Sequence, residues 1–153
     1  IGADDSPLPR FDLADMPGRF KIIFCFQDAC PGCHATGFPS LVALAEKIAR
    51  TPEIAAHVSF AAVQTVFEDH AKNTRARGME NQARWRLAIP FGHDDGGASG
   101  GGRSSLMSRY HNGGTPWFII IDGDRVIASG FHISVDALIA HLARALGTAA
   151  TRG

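Results

Sequence analysis

No stretch of this chain approaches the roughly 20 consecutive apolar residues that a membrane-crossing helix needs, so no membrane span is expected. Neither sign of charge prevails: 15 Lys and Arg stand against 15 Asp and Glu in 153 residues. That balance removes the basic footprint of a nucleic-acid binder and the high net charge of a disordered chain. Cysteine is scarce as well. Three thiols, Cys25, Cys30 and Cys33, are too few and too odd in number for a disulfide scaffold. A second C-x-x-C or H-x3-5-H pair is missing, so the four ligands of a structural zinc site are not available and no metal is expected. Internal repeats are absent. The opening Ile1-Gly2-Ala3-Asp4-Asp5 has neither the charged nor the apolar region of a signal peptide, so the expectation is a cytoplasmic protein. Loss of an upstream signal would make it a periplasmic or exported one instead.

What the chain does have is 45% hydrophobic residues, over a length that buries a core without staples. A single domain over residues 1–153 is expected. Residues 20–27 form a nearly continuous apolar run with β-branched and aromatic side chains, which predicts a strand covered on both faces. Apolar residues then recur at Phe38, Leu41, Val42, Ala45, Ile48 and Ala49, one face of a helix that stops at Thr51-Pro52. Residues 58–66 predict a second buried strand, parallel to the first through a right-handed crossover, so that both strands end on one edge. A weaker helical pattern occupies residues 73–87, at Ala76, Met79, Ala83 and Leu87. The glycine-dense residues 94–102 predict a flexible surface loop. Residues 97–104 approximate a phosphate-binding loop, but Arg103 stands where its lysine belongs. A short helix at 104–110 and a strand at 117–121 follow. Asp122-Gly123-Asp124 is then a turn into a partner strand from Val126. The terminal helix, capped by Ser134, presents Val135, Leu138, Ile139, Leu142, Ala143 and Leu146 at helical spacing. The predicted fold class is therefore α/β: a central mixed β-sheet flanked by helices, with an inserted helix and a Gly-rich loop between a βαβ and a ββα half.

The chemistry concentrates in Cys30-Pro31-Gly32-Cys33, where the first strand runs into the first helix. There the exposed N–H groups and positive end of the helix dipole favour a thiolate on the first sulfur. Cys30 is the expected nucleophile. Cys33, one turn on and more buried, is placed to attack a mixed disulfide on Cys30 and release the partner as a thiol. Pro31 suits the first turn because it has no N–H to satisfy, and Gly32 leaves room for a partner chain. Cys25, inside the apolar run, reads as a small buried hydrophobe without a role.

This order of elements resembles the thioredoxin superfamily, with Cys30-Pro31-Gly32-Cys33 after one strand and Gly113-Gly114-Thr115-Pro116-Trp117 before another. Within that superfamily, residues 26–34, Gln64-Thr65-Val66-Phe67-Glu68 and the inserted helix are similar to the TlpA-type, redoxin-like thiol-disulfide oxidoreductases. The resemblance covers about residues 10–147. It implies a thioredoxin-like fold and dithiol-disulfide exchange with a protein or small-molecule disulfide, as a reductase, with no metal, nucleotide or haem. It also implies a cis-proline at Pro116 beside the active site, where Thr115 pairs with the substrate backbone. The sequence departs from the pattern twice. Ala29 replaces the tryptophan that usually precedes the first cysteine, and Phe24 replaces the buried aspartate that accepts a proton. Glu68, after the second parallel strand on the same edge, is the candidate to supply the lost carboxylate for proton transfer.

Two other readings share parts of this pattern. Cys30-Pro31-Gly32-Cys33-His34 also matches the signature for covalent c-type haem attachment, with His34 as an axial ligand; that reading predicts neither the preceding strand nor the segment before Pro116. A peroxiredoxin-like peroxidase would carry P-x-x-x-T-x-x-C, where this chain has Ile23 and Gln27 in the proline and threonine positions. His34 otherwise reads as an exposed helix residue, His93, Asp94 and Asp95 as solvated loop residues, and Trp85, Trp117 and Phe118 as core or groove aromatics.

Overall fold

The computed structural model describes residues 12–97 and 102–148. The apolar run forms β1, Phe20–Phe26, and a π-helical segment, Cys33–Gly37, carries the helix start into α1, Phe38–Ala49. A short α2, Pro52–Ala55, leads to β2, Val58–Thr65. There follow α3, Arg75–Arg84, β3, Phe91–Asp94, and α4, Ser105–Tyr110. The chain closes with β4, Trp117–Asp122, β5, Arg125–Gly130, and α5, Val135–Leu146. Among the described residues no helix is long and apolar enough to cross a membrane.

The strands lie in the order β3-β2-β1-β4-β5. β1 and β2 are parallel, in register from Phe20 opposite Val58 to Phe26 opposite Gln64, so their C-terminal ends share an edge. β4 runs antiparallel to β1, with Cys25 opposite Trp117, and so begins at that same edge. The segments after β1, after β2 and before β4 are thereby brought together, which is where an open α/β sheet places its site.

β3 corrects the sequence-based expectation of four strands with a loop from residue 94. It pairs in parallel with β2, from Ala62 opposite Phe91 to Thr65 opposite Asp94. Four half-buried residues, one a glycine, are too short to show a period of two. Of the predicted glycine loop, residues 98–101 lie outside the described residues.

Alternation along β1 sets two layers of core. Phe20 and Ile22 meet Leu44, Ile48, Ile139 and Leu142 of α1 and α5, and Phe24 and Phe26 meet Phe38 and Leu41. Ile23 and Cys25 point to the other face, toward Met16, Ala61, Val63 and Ile119. Each fully buried large apolar side chain is worth about 1.5–3 kcal/mol and a surface ion pair about 0–1 kcal/mol. Five fully buried phenylalanines, Phe20, Phe24, Phe26, Phe38 and Phe118, therefore hold the sheet to its helices far more than charge does. Ser134 caps α5 by accepting from the Ala137 N–H at 3.3 Å, as the sequence predicts. α3 turns a different face inward from the one its apolar residues predict: Gly78 and Asn81 are buried, whereas Ala76 and Ala83 are exposed.

Candidate active site at the start of the long helix

Beyond β1 the chain needs only three residues, Gln27, Asp28 and Ala29, to reach Cys30, whose N–H donates to the Gln27 carbonyl at 3.1 Å. Cys30 is half-buried and Cys33 fully buried, and both are free thiols. The Cys33 N–H donates to Cys30 Sγ at 3.2 Å, so the first sulfur sits on one of the helix-start amides that have no partner within the helix. The Cys30 thiol donates to the Thr115 carbonyl at 3.5 Å. The Thr115–Pro116 peptide bond is cis, and Pro116 is buried against the helix start. A Cβ at Gly32 would stand 3.4 Å from Pro116 Cδ, which is ordinary contact. One at Gly37 would stand 2.7 Å from Pro116 Cβ and 2.9 Å from Phe24 Cζ, so only glycine fits there. The structure thus brings Cys30, Cys33, Gly32, Thr115 and Pro116 together, with exposed Pro31 in the first helical turn.

The two thiols differ in surroundings. Burial first, and then the hydrogen bond with Cys30, push the Cys33 thiol well above the ordinary cysteine range, against smaller opposing contributions from Gln27 and Thr115. Beneath it lie Phe24 and Phe38, with ring centroids 4.9 Å apart, so the position matching the buried aspartate is an apolar floor. Glu68 is exposed; its N–H donates to Gln27 Oε1 at 3.4 Å and its carbonyl accepts from Asn73 Nδ2 at 3.0 Å. Cys25 faces the other side of the sheet, where burial pushes its thiol up to about 12.

Several residues around the cysteines carry more than the sequence reading assigned. His34 is half-buried rather than exposed: its Nε2 lies 2.7 Å from the Asp28 carbonyl, and its ring stacks on Phe38 and Trp85. Asp28 Oδ1 accepts from Asn81 Nδ2 at 3.0 Å, and Arg77 Nε lies 3.2 Å from Asp28 Oδ2. Gln64 Oε1 accepts from the Asp28 N–H and Asn73 Oδ1 from the Ala29 N–H, both at 2.8 Å. The available signal was an amide-bearing residue inside an otherwise apolar strand, since a buried amide must find partners.

His93 and Asp94 also have structural roles. His93 Nδ1 faces Gln64 Nε2 at 3.2 Å. Asp94 Oδ2 accepts from the Leu106 N–H and the Ser104 hydroxyl, each at 2.7 Å, capping α4. Burial opposes ionisation of Asp94, but these hydrogen bonds and those from Gly96 and Ser105 hold its carboxyl below the usual range. A cavity of about 990 Å³ lies near this edge, with His70, Arg75, His93 and Arg109 among its walls and neither thiol of the pair. Among the described residues no cluster of three or more His, Cys, Asp or Glu could hold a metal ion.

No family model matches the chain, and no curated protein matches it in sequence. Solved structures do. The thioredoxin-like superfamily protein SPOA0173 is 32% identical, with a TM-score of 0.73 over 94% of this chain and 90% of its own. A thiol-disulfide isomerase from Corynebacterium glutamicum, 22% identical, superposes with a TM-score of 0.73 over 95% of this chain and 99% of its own. A secreted disulfide oxidoreductase of Mycobacterium tuberculosis, homologous to E. coli DsbE, is 20% identical with a TM-score of 0.59, covering 88% of this chain and 87% of its own. At these last two identities the likeness is one of fold.

Proposed function

The chain belongs to the thioredoxin-like superfamily, and on that premise we propose that it is a thiol-disulfide oxidoreductase in which Cys30 attacks and Cys33 resolves. The observation that carries the reading is the pairing of a half-buried Cys30, its sulfur on the Cys33 N–H, with a fully buried Cys33 one turn away. A thiolate at Cys30 attacks one sulfur of a partner disulfide, forming a mixed disulfide and releasing the other partner sulfur as a thiolate. Cys33 then loses its proton and attacks Cys30 Sγ, releasing the second partner sulfur. Two electrons pass to the partner, and a Cys30–Cys33 disulfide remains for a donor thiol to reduce. No metal, nucleotide or haem enters this scheme. The partner is a disulfide-bearing protein or small molecule, and Thr115, ahead of Pro116, is the proposed pairing site for the backbone of a protein partner.

The raised proton affinity of Cys33 supports this order of events, because a resolving thiol that stays protonated does not compete for the first attack. Glu68 is the proposed route for its proton. The haem reading lacks comparable support, since His34 Nε2 is engaged by the Asp28 carbonyl at 2.7 Å. The direction is proposed to be reduction, in the cytoplasm, by the same single domain.

Two measurements test the function. Cys33→Ser should accumulate a covalent partner complex that dithiothreitol dissolves, whereas Cys30→Ser should neither attack nor trap; trapping by Cys30→Ser sinks the assignment. Equilibration in glutathione buffers should give a potential near that of thioredoxin, about −270 mV, and one near about −120 mV would make the protein an oxidant.

A further inference from the structure

Asp28, Ala29 and Cys30, which lead into the helix start, each have a partner for the backbone N–H, and two of these are side chains from distant segments. Asp28 N–H is held by Gln64 Oε1 and Ala29 N–H by Asn73 Oδ1, both at 2.8 Å, while Cys30 N–H uses the local Gln27 carbonyl. The orientation of each amide is fixed by its other end. Gln64 Nε2 donates to the Thr74 carbonyl at 2.8 Å and the Asn73 carbonyl at 3.3 Å, and Asn73 Nδ2 donates to the Glu68 carbonyl at 3.0 Å. Gln27 reciprocates from the nucleophile side, its Oε1 accepting from the Phe67 N–H at 3.0 Å. The loops at 27–30 and 66–74 are thus stitched by amide groups from both sides.

Nothing in this arrangement is slack. Gln64 is 0% and Asn73 2% exposed, so water does not replace a lost partner. A Cβ at Gly78 would lie 2.5 Å from Gln64 Nε2, so α3 closes directly over the Gln64 amide. The parallel pairing of Phe26 with Gln64 sets the amide one residue from the start of the loop it holds. The position of Cys30 Sγ, 3.2 Å from the Cys33 N–H and 3.5 Å from the Thr115 carbonyl, follows from where residues 28 and 29 are held.

We infer that Asn73 and Gln64 are positioning residues for the nucleophile, acting through the acceptor oxygens that hold the Ala29 and Asp28 amides. The inference rests on the reading of Cys30 as the attacking thiol. It differs from a general structural role in a checkable way, because each side chain has an acceptor half facing the nucleophile loop and a donor half facing loop 66–74 and, for Gln64, also His93 Nδ1 at 3.2 Å. Asn73→Asp keeps the acceptor and loses the donor, and Asn73→Leu loses both; Gln64→Glu and Gln64→Leu repeat the comparison.

The assay is the rate of mixed-disulfide formation between Cys30 and a protein disulfide, in a Cys33→Ser background, as a function of pH, read at the alkaline plateau so that the charge added by the acidic variants does not enter. Each leucine variant should lower the plateau about tenfold or more, since ångström misplacement of a reacting group costs up to about a hundredfold. Each acidic variant should lose at least about threefold less than its leucine counterpart, since it keeps the acceptor that holds the loop amide. Leucine variants within twofold of the parent, or acidic variants that fall as far as the leucine ones, overturn the inference. A measurement on the unmodified protein guards against variants that fail to fold: the Asp28 and Ala29 amides should exchange about a hundredfold or more slowly than open-chain amides. Open-chain rates there would overturn it too. The function fails separately: a parent that alkylates rapidly at Cys30 but reduces no disulfide removes the oxidoreductase reading. A parent that exchanges disulfides while Asn73→Leu changes nothing removes the positioning residues alone.

Discussion

Replacing Gly37 with alanine sets two opposing effects against each other at one atom. Alanine is the better helix former by about 0.8–1.0 kcal/mol, and Gly37 has a right-handed helical backbone, so a free site would gain stability. The new methyl, however, would meet Pro116 Cβ at 2.7 Å and Phe24 Cζ at 2.9 Å. Neither neighbour yields cheaply, since one is a ring carbon fixed to the backbone and the other belongs to a fully buried phenylalanine. Overpacking of this kind costs about 1–3 kcal/mol, so the two effects together leave a net loss of about 0–2 kcal/mol. The relief must displace Pro116, the helix start or both, and these carry Thr115 and the cysteines. Turnover of a disulfide substrate should therefore drop about tenfold or more. Gly32→Ala is the internal control, since its methyl would meet the same proline at an ordinary 3.4 Å. It should leave stability unchanged or slightly raised, with any loss confined to KM for the partner. Urea unfolding and stopped-flow reduction kinetics read both variants. A Gly37→Ala protein as stable and as active as the parent, or a Gly32→Ala protein less stable than Gly37→Ala, would refute the reasoning.

Three further outcomes are expected. In the folded protein iodoacetamide should label Cys30 first, with buried Cys25 and Cys33 lagging, and Cys25→Ala should leave turnover almost intact; early labelling of Cys33 contradicts the assignment. Burial, aided by Arg75 and opposed by Asp95 and Asp94, holds the His93 imidazole below its usual range. The unfolded chain then takes up that proton first, so stability should be flat above about pH 6.5. It should fall as the pH drops from there toward the lower folded value, and a His93→Asn protein should lack that part of the slope; an unchanged slope would discount His93. Glu68→Gln should slow release of the mixed disulfide more than its formation, and equal slowing of both steps removes Glu68 from the proton route.

Much of the architecture was legible because burial in this chain follows hydrophobic period. β1, β2, β4 and α5 bury the residues their patterns assign, and the motif at Cys30 fixed where the helix begins. Legibility failed where the buried face is polar. α3 lies on Gln64 and Asp28, so the residues it turns inward are Gly78, which leaves space, and Asn81, which reaches Asp28 Oδ1. A search for apolar repeats selects Ala76 and Ala83 instead. The same limit hid Gln64 and Asn73, whose importance lies in where their amides find partners after folding. His34 reads as exposed in the sequence because its partners, the Asp28 carbonyl and the Trp85 ring, come from two other segments that only the fold brings to it.

The alternation of β1 also decides which thiols can meet. Three thiols allow three different disulfides, and a chain that cycles between oxidised and reduced forms risks entering each of them. Here Cys25 points to one side of a strand buried from Ile22 to Phe26, whereas Cys33 lies with Phe24 and Phe26 on the other. The sheet itself therefore acts as insulation: electrons entering at Cys30 have one thiol within reach, and the third stays out of circuit unless β1 leaves the sheet.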